Sequence, residues 1–165
     1  MITNQELLDI RTHLVNDKFD SILINKRNPV TYRLFAQING ARVCLHKMLE
    51  GTTKPHAHKY DVRVLILDGE YRHEIYNKNY ESVYSEKVVK GSAYHIVNPN
   101  TLHSVSVENP VYSIMINSFD FGNPHSSCVS TKNNDLGKIP EADLFTLKME
   151  FYNLINGALP VILQD

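Results

Sequence analysis

Apolar residues in the first twenty positions recur at helical spacing, with Leu7, Leu8, Ile10, Leu14 and Val15 on one face. Thr3 lies three residues ahead of Glu6, the spacing at which a hydroxyl and a carboxylate can satisfy each other's end of a first turn. An amphipathic helix within residues 1–20 is expected. From about residue 20 the period falls to two, as it does in strands with one buried face. The segments 21–25, 31–37, 41–49, 62–67, 70–77, 82–89, 93–97, 103–108 and 111–118 carry this pattern. Turn-forming pairs separate them, among them Asn39-Gly40, Asp68-Gly69, Lys90-Gly91 and Asn109-Pro110. Asn39-Gly40 reads as a tight hairpin turn, because both residues tolerate positive φ. Short strands at near-regular spacing, with no helices between them, predict an all-β sandwich or barrel over residues 21–118 and disfavour a parallel α/β fold.

Residues 119–139 are polar and irregular, so a loop is expected there. Pro140 then suits the first position of a closing helix within residues 140–165, whose apolar face is Leu144, Leu147, Phe151, Leu154 and Ile155 and which stops near Gly157. At 165 residues the whole chain fits one domain. Seventeen basic against eighteen acidic side chains leave a formal charge of −1, so no attraction to nucleic acid is expected. No apolar run is long enough to span a bilayer, and no membrane partner is expected. The first residues lack the basic and apolar regions of a secretory signal, and Cys44 and Cys128 make no disulfide framework, so a cytoplasmic protein with reduced thiols is expected. Open sheet edges and two amphipathic helices suggest a homodimer.

Chemistry concentrates in Gly51-Thr52-Thr53-Lys54-Pro55-His56-Ala57-His58. Residues two apart on an extended chain point to the same side, so His56 and His58 can offer both imidazoles to one ion. His103 opens a later strand and can complete a set of three nitrogens if both segments line one barrel. Imidazole ligands suit iron, zinc, copper and nickel, and a three-ligand set leaves positions open for catalysis.

Gly51, His56, His58 and Gly69, followed by Gly91, Asn98-Pro99-Asn100 and His103, resemble the two motifs of the cupins. The resemblance covers roughly residues 40–118. It implies a double-stranded β-helix, or jelly-roll, barrel holding one divalent metal on His56, His58 and His103. The carboxylate that usually follows the His pair is absent, since Val62 and Arg63 stand in its place and only Asp61 is near. Three neutral imidazoles leave the ion's charge uncompensated and favour anionic co-ligands.

That arrangement is similar to the three-His thiol dioxygenases, which implies Fe(II), although Zn, Ni, Cu or Mn would also suit the ligands. It also implies a small carboxylate- or thiol-bearing substrate, with Arg33 taking the carboxylate and Tyr32 or Tyr60 donating a hydrogen bond. On the strand after the third ligand, where those enzymes place Ser, His and Tyr, this chain has Ser113, Met115 and Asn117. The run His56-Ala57-His58-Lys59 is also similar to metal-independent nucleotide-sugar isomerases and epimerases of the cupin class, which implies His56 or His58 with Tyr60 or Tyr71 as acid and base. A third alternative is a non-catalytic module that binds a small ligand. His73 and His95 read as structural or solvent-facing, and His46 likewise unless its strand places it inside the barrel.

Overall fold

The computed structural model describes residues 1–58, 60–97, 101–117 and 136–159. Helix α1 (Asn4–Val15) opens the chain. Thr3 caps it as the spacing predicts, accepting from the Glu6 amide while the Glu6 carboxylate accepts from the Thr3 amide. Its buried face is Leu7, Ile10 and Leu14, whereas Val15 is exposed.

Eleven described strands precede the closing helix, the first ten being β1 (Asp20–Ile24), β2 (Thr31–Ile38), β3 (Ala41–Met48), β4 (Gly51–Thr52), β5 (Val62–Asp68), β6 (Glu70–Tyr76), β7 (Ser82–Val89), β8 (Ala93–Ile96), β9 (Leu102–Val107) and β10 (Val111–Asn117). β11 (Leu136–Gly137) lies inside the segment expected to be loop, where it pairs with β1. Helix α2 (Glu141–Ala158) closes the described chain, with Pro140 just outside its first turn rather than within it. The Asn98-Pro99-Asn100 turn, Cys128 and most of the expected loop lie outside the described residues.

The strands form two antiparallel sheets, a seven-stranded one ordered β11-β1-β2-β3-β10-β5-β8 and a four-stranded one ordered β4-β9-β6-β7. Asn39 and Gly40 both take positive φ, which turns β2 directly into β3. Gly69 has φ +81° between β5 and β6, and a β-carbon there would lie 2.7 Å from the Pro110 carbonyl oxygen. Only glycine satisfies both conditions.

The larger sheet is covered on both faces. On its outer face Leu34, Ala36, Val43, Leu45, Leu67, Ile114 and Ile116 pack against Ile10, Leu14, Leu147, Phe151 and Ile155 of the helices. Arg63 binds Glu6 and Lys47 binds Glu150, holding α1 and α2 to the strands beneath. On its inner face Cys44, Met48, Val62, Val64, Ile66 and Met115 meet Tyr71, Val88, Val105 and Val107 of the smaller sheet. Two distinct cores therefore share one sheet, and strict alternation along each strand decides which core a side chain joins.

Candidate metal centre

The space between the sheets holds the histidines. His56 lies in an isolated antiparallel bridge with His103 of β9, each amide donating to the other's carbonyl at 2.9 Å. Cross-strand partners share a face, so both rings point inward, and His58 returns to that side two residues on. The three residues offer ligand atoms that all lie within 4.8 Å of one another. Their ring centroids are 4.5–5.2 Å apart.

The donor atoms suit a metal. The Nε2 atoms of His58 and His103 stand 2.9 Å apart. Two imidazole nitrogens each about 2.1 Å from one ion, at neighbouring positions of its shell, would be separated by about 3.0–3.4 Å. His56 has its Nδ1 2.9 Å from the Lys54 carbonyl oxygen, which can only accept. Nδ1 therefore carries the proton and Nε2 keeps its lone pair for a ligand. Burial, reinforced by neighbouring His56 and then Arg33, lowers the His58 pKa to about 4. Burial, then His56, His58 and His73, lowers that of His103 to about 2. Both rings stay neutral at physiological pH, the form in which imidazole binds a cation. The three-histidine cluster can thus hold a divalent metal.

The structure treats the other predicted site residues unequally. Arg33 points into the barrel, where its Nε donates to His46 Nε2 at 2.7 Å. The two face each other across β2 and β3, and Ser113 faces His46 across β3 and β10. Arg33, His46 and Ser113 thus form a polar row on the inner face of the larger sheet. The guanidinium of Arg33 is near enough to the cluster to help lower the His58 pKa, after burial and His56. Burial, then Arg33, His58 and Arg42, holds the His46 pKa well below its ordinary value.

Tyr32 does not join this group. It packs on the helix side of the sheet, since adjacent strand residues face opposite ways. Tyr60 is half-buried in the bend between His58 and β5. Asp61, the one acid near the His pair, stands 4.0 Å from His95.

The sequence reading gave His73 only a structural or solvent-facing place and assigned no site role to Tyr94 or Glu86. His73, only 2% exposed, has its Nε2 3.1 Å from His103 Nδ1, and its ring stacks on Tyr94 with centroids 4.7 Å apart. Tyr94 and Tyr71 meet hydroxyl to hydroxyl at 2.5 Å. Burial raises the Tyr94 pKa to about 12 and that of Tyr71 well above its ordinary range, so both remain neutral phenols. Glu86 on β7 lies opposite His73 in register. The signal for His73 was its phase with Tyr71 on β6, which buries both on the inner face.

No protein-family model matches the chain, and no curated protein matches it. Solved structures do. The chain is similar to a cupin-2 domain-containing protein from Shewanella frigidimarina, at 16% identity over 51% of this chain and 76% of that one, with a TM-score of 0.43. It is similar to a cupin superfamily protein from Desulfitobacterium hafniense, at 15% identity over 55% and 76% of the two chains, with a TM-score of 0.44. It is also similar to hydroxypropylphosphonic acid epoxidase from S. wedmorenis, at 12% identity over 61% and 56% of the two chains, with a TM-score of 0.48. Two facing antiparallel sheets with a helix before and after the strands bear out the expected all-β architecture with an N-terminal and a C-terminal helix.

Proposed function

We propose that this chain is a mononuclear metal-dependent oxygenase acting on a small anionic substrate, with His56, His58 and His103 as the metal ligands. The observation that carries the reading is the convergence of three inward imidazoles, two of them held neutral by burial, beside the inward guanidinium of Arg33. A bound redox-active ion such as iron(II) would supply Lewis acidity and a redox couple through which electrons from the substrate could pass to O₂. The protein's own groups do the rest. His46 accepts from Arg33 Nε and fixes the plane of the guanidinium, leaving its terminal nitrogens to pair with a carboxylate. The apolar wall of Val64, Ile66, Met115 and Val105 excludes water, so that pairing is worth more than it would be in solvent.

Elemental analysis of protein purified without an affinity tag tests the metal set. The wild type should carry near-stoichiometric metal, and His103→Ala and His58→Ala should lose most of it. Equal metal in wild type and variants would overturn the ligand assignment. With iron loaded, O₂ consumption on addition of small thiols or carboxylates should appear in the wild type and fall at least tenfold in Arg33→Gln. Iron-loaded protein that consumes no O₂ with any of them would leave a metal-binding module and remove the oxygenase reading.

A further inference from the structure

His103 is an imidazole with another imidazole at each of its nitrogens. His58 Nε2 faces its Nε2 at 2.9 Å, and His73 Nε2 faces its Nδ1 at 3.1 Å. A neutral ring carries one proton, so which side receives it decides whether His103 offers a lone pair or an N–H to the centre of the cluster. Beyond His73 lies Glu86, with a carboxylate oxygen 3.6 Å from His73 Nδ1. That separation is longer than a hydrogen bond, and the buried Nδ1 has no hydrogen-bond partner among the described residues, so the carboxylate is the acceptor placed to draw it. A carboxylate only accepts, so its charge favours the tautomer of His73 with the proton on Nδ1. His73 Nε2 then accepts from His103 Nδ1–H, and His103 Nε2 is left with its lone pair facing inward.

We infer that His73 and Glu86 are positioning residues for a metal ligand, a Glu86–His73–His103 chain that sets the tautomer of His103 and passes part of the carboxylate's charge to the ion. This inference rests on the metal-centre reading above. It also accounts for how a site with three neutral ligands is balanced, since the carboxylate missing beside the His pair is supplied at one remove, from another strand. The register makes the chain a product of the sheet: Glu86 lies opposite His73 across β7 and β6, and His73 lies diagonal to His103 across β6 and β9. Tyr94, stacked on His73, fixes the ring plane on which both hydrogen-bonding directions depend. Glu86 is 39% exposed at its side chain, so the chain runs from the buried cluster to solvent.

The test is the affinity for Zn²⁺, by competition with a chromophoric chelator, in wild type, His73→Leu, His73→Gln and Glu86→Ala. Removing a group that orients a ligand costs about 10–100-fold in metal affinity. His73→Leu should show that loss. His73→Gln, whose amide oxygen can accept from His103 Nδ1–H, should recover most of it, and Glu86→Ala should weaken binding several-fold. Nitrogen-15 NMR of histidine-labelled zinc protein should report a protonated Nδ1 and a metal-bound Nε2 for His103. Glu86 is partly exposed, so its variant decides the matter if the His73 variants fail to fold. Wild-type affinity in Glu86→Ala together with an Nδ1-bound His103 would overturn the chain while leaving the metal centre intact. A wild type that binds no Zn²⁺ would overturn the metal-centre reading beneath it.

Discussion

His58 gains a proton only near pH 4, although a free imidazole does so near about 6.5. The difference arises first from burial, and it has a consequence for stability. Between those values the unfolded chain binds protons that the folded chain refuses, so acid favours unfolding. His46, His73 and His103 shift in the same direction, with burial first among the causes in each case. Their contribution is fully present above about pH 6.5 and is lost progressively as the pH falls below that value. Thermal unfolding of chelator-treated protein should show a Tm that is level from about pH 8 to 7 and several degrees lower by about pH 5. A Tm that did not move over that range would mean that water reaches these rings. The inward pairing of His56 and His58 was legible in the sequence, because the period of two forces it. That same period sets Tyr32 and Arg33 on opposite faces, so only one of them could reach the site. The partners of His103 could not be read, because cross-strand register is set by packing between segments far apart in the chain.

At the scale of elements, the longer strands were legible because each repeats its period several times. β4 and β11, two residues each, carry no period and exist only through their partners β9 and β1. The closing helix announced its buried face correctly, since Leu147, Phe151 and Ile155 are the residues it buries. Phe151 is fully buried and meets Tyr112 edge to face, with ring centroids 5.6 Å apart. Phe151→Ala should therefore cost about 3–5 kcal/mol in denaturant unfolding. It should leave Zn²⁺ affinity unchanged below the unfolding transition, because the helix-side core lies across the larger sheet from the histidines. A loss of less than 1 kcal/mol would contradict the placement of α2 against that sheet.

For the molecule as a whole, metal and fold are linked through the facing sheets. His56 precedes β5 of the larger sheet, and His103 belongs to β9 of the smaller one. An ion shared by both segments binds the folded chain and not the unfolded one, so saturation must raise stability. At a free concentration about a hundred times Kd the gain is about 2.7 kcal/mol. For a domain of this size that corresponds to a rise in Tm of several degrees. Zn²⁺ should produce this rise in the wild type but not in His58→Ala, as differential scanning fluorimetry would show; equal shifts in both would place the ion elsewhere. The barrel was legible as a class from strand spacing. The division of its residues between two cores was not, because which face of a strand meets the helices depends on where those helices dock.

The larger sheet is clothed on both sides, and this separates two kinds of inheritance within single strands. On β2, Leu34 answers to the helices and Arg33 to the interior of the barrel, and on β3 Leu45 and His46 divide in the same way. A lineage could exchange Arg33, His46 and Ser113 for residues suited to another ligand while keeping every side chain that seats the helices. The wall that keeps the protein folded need not change when the chemistry on its other side does.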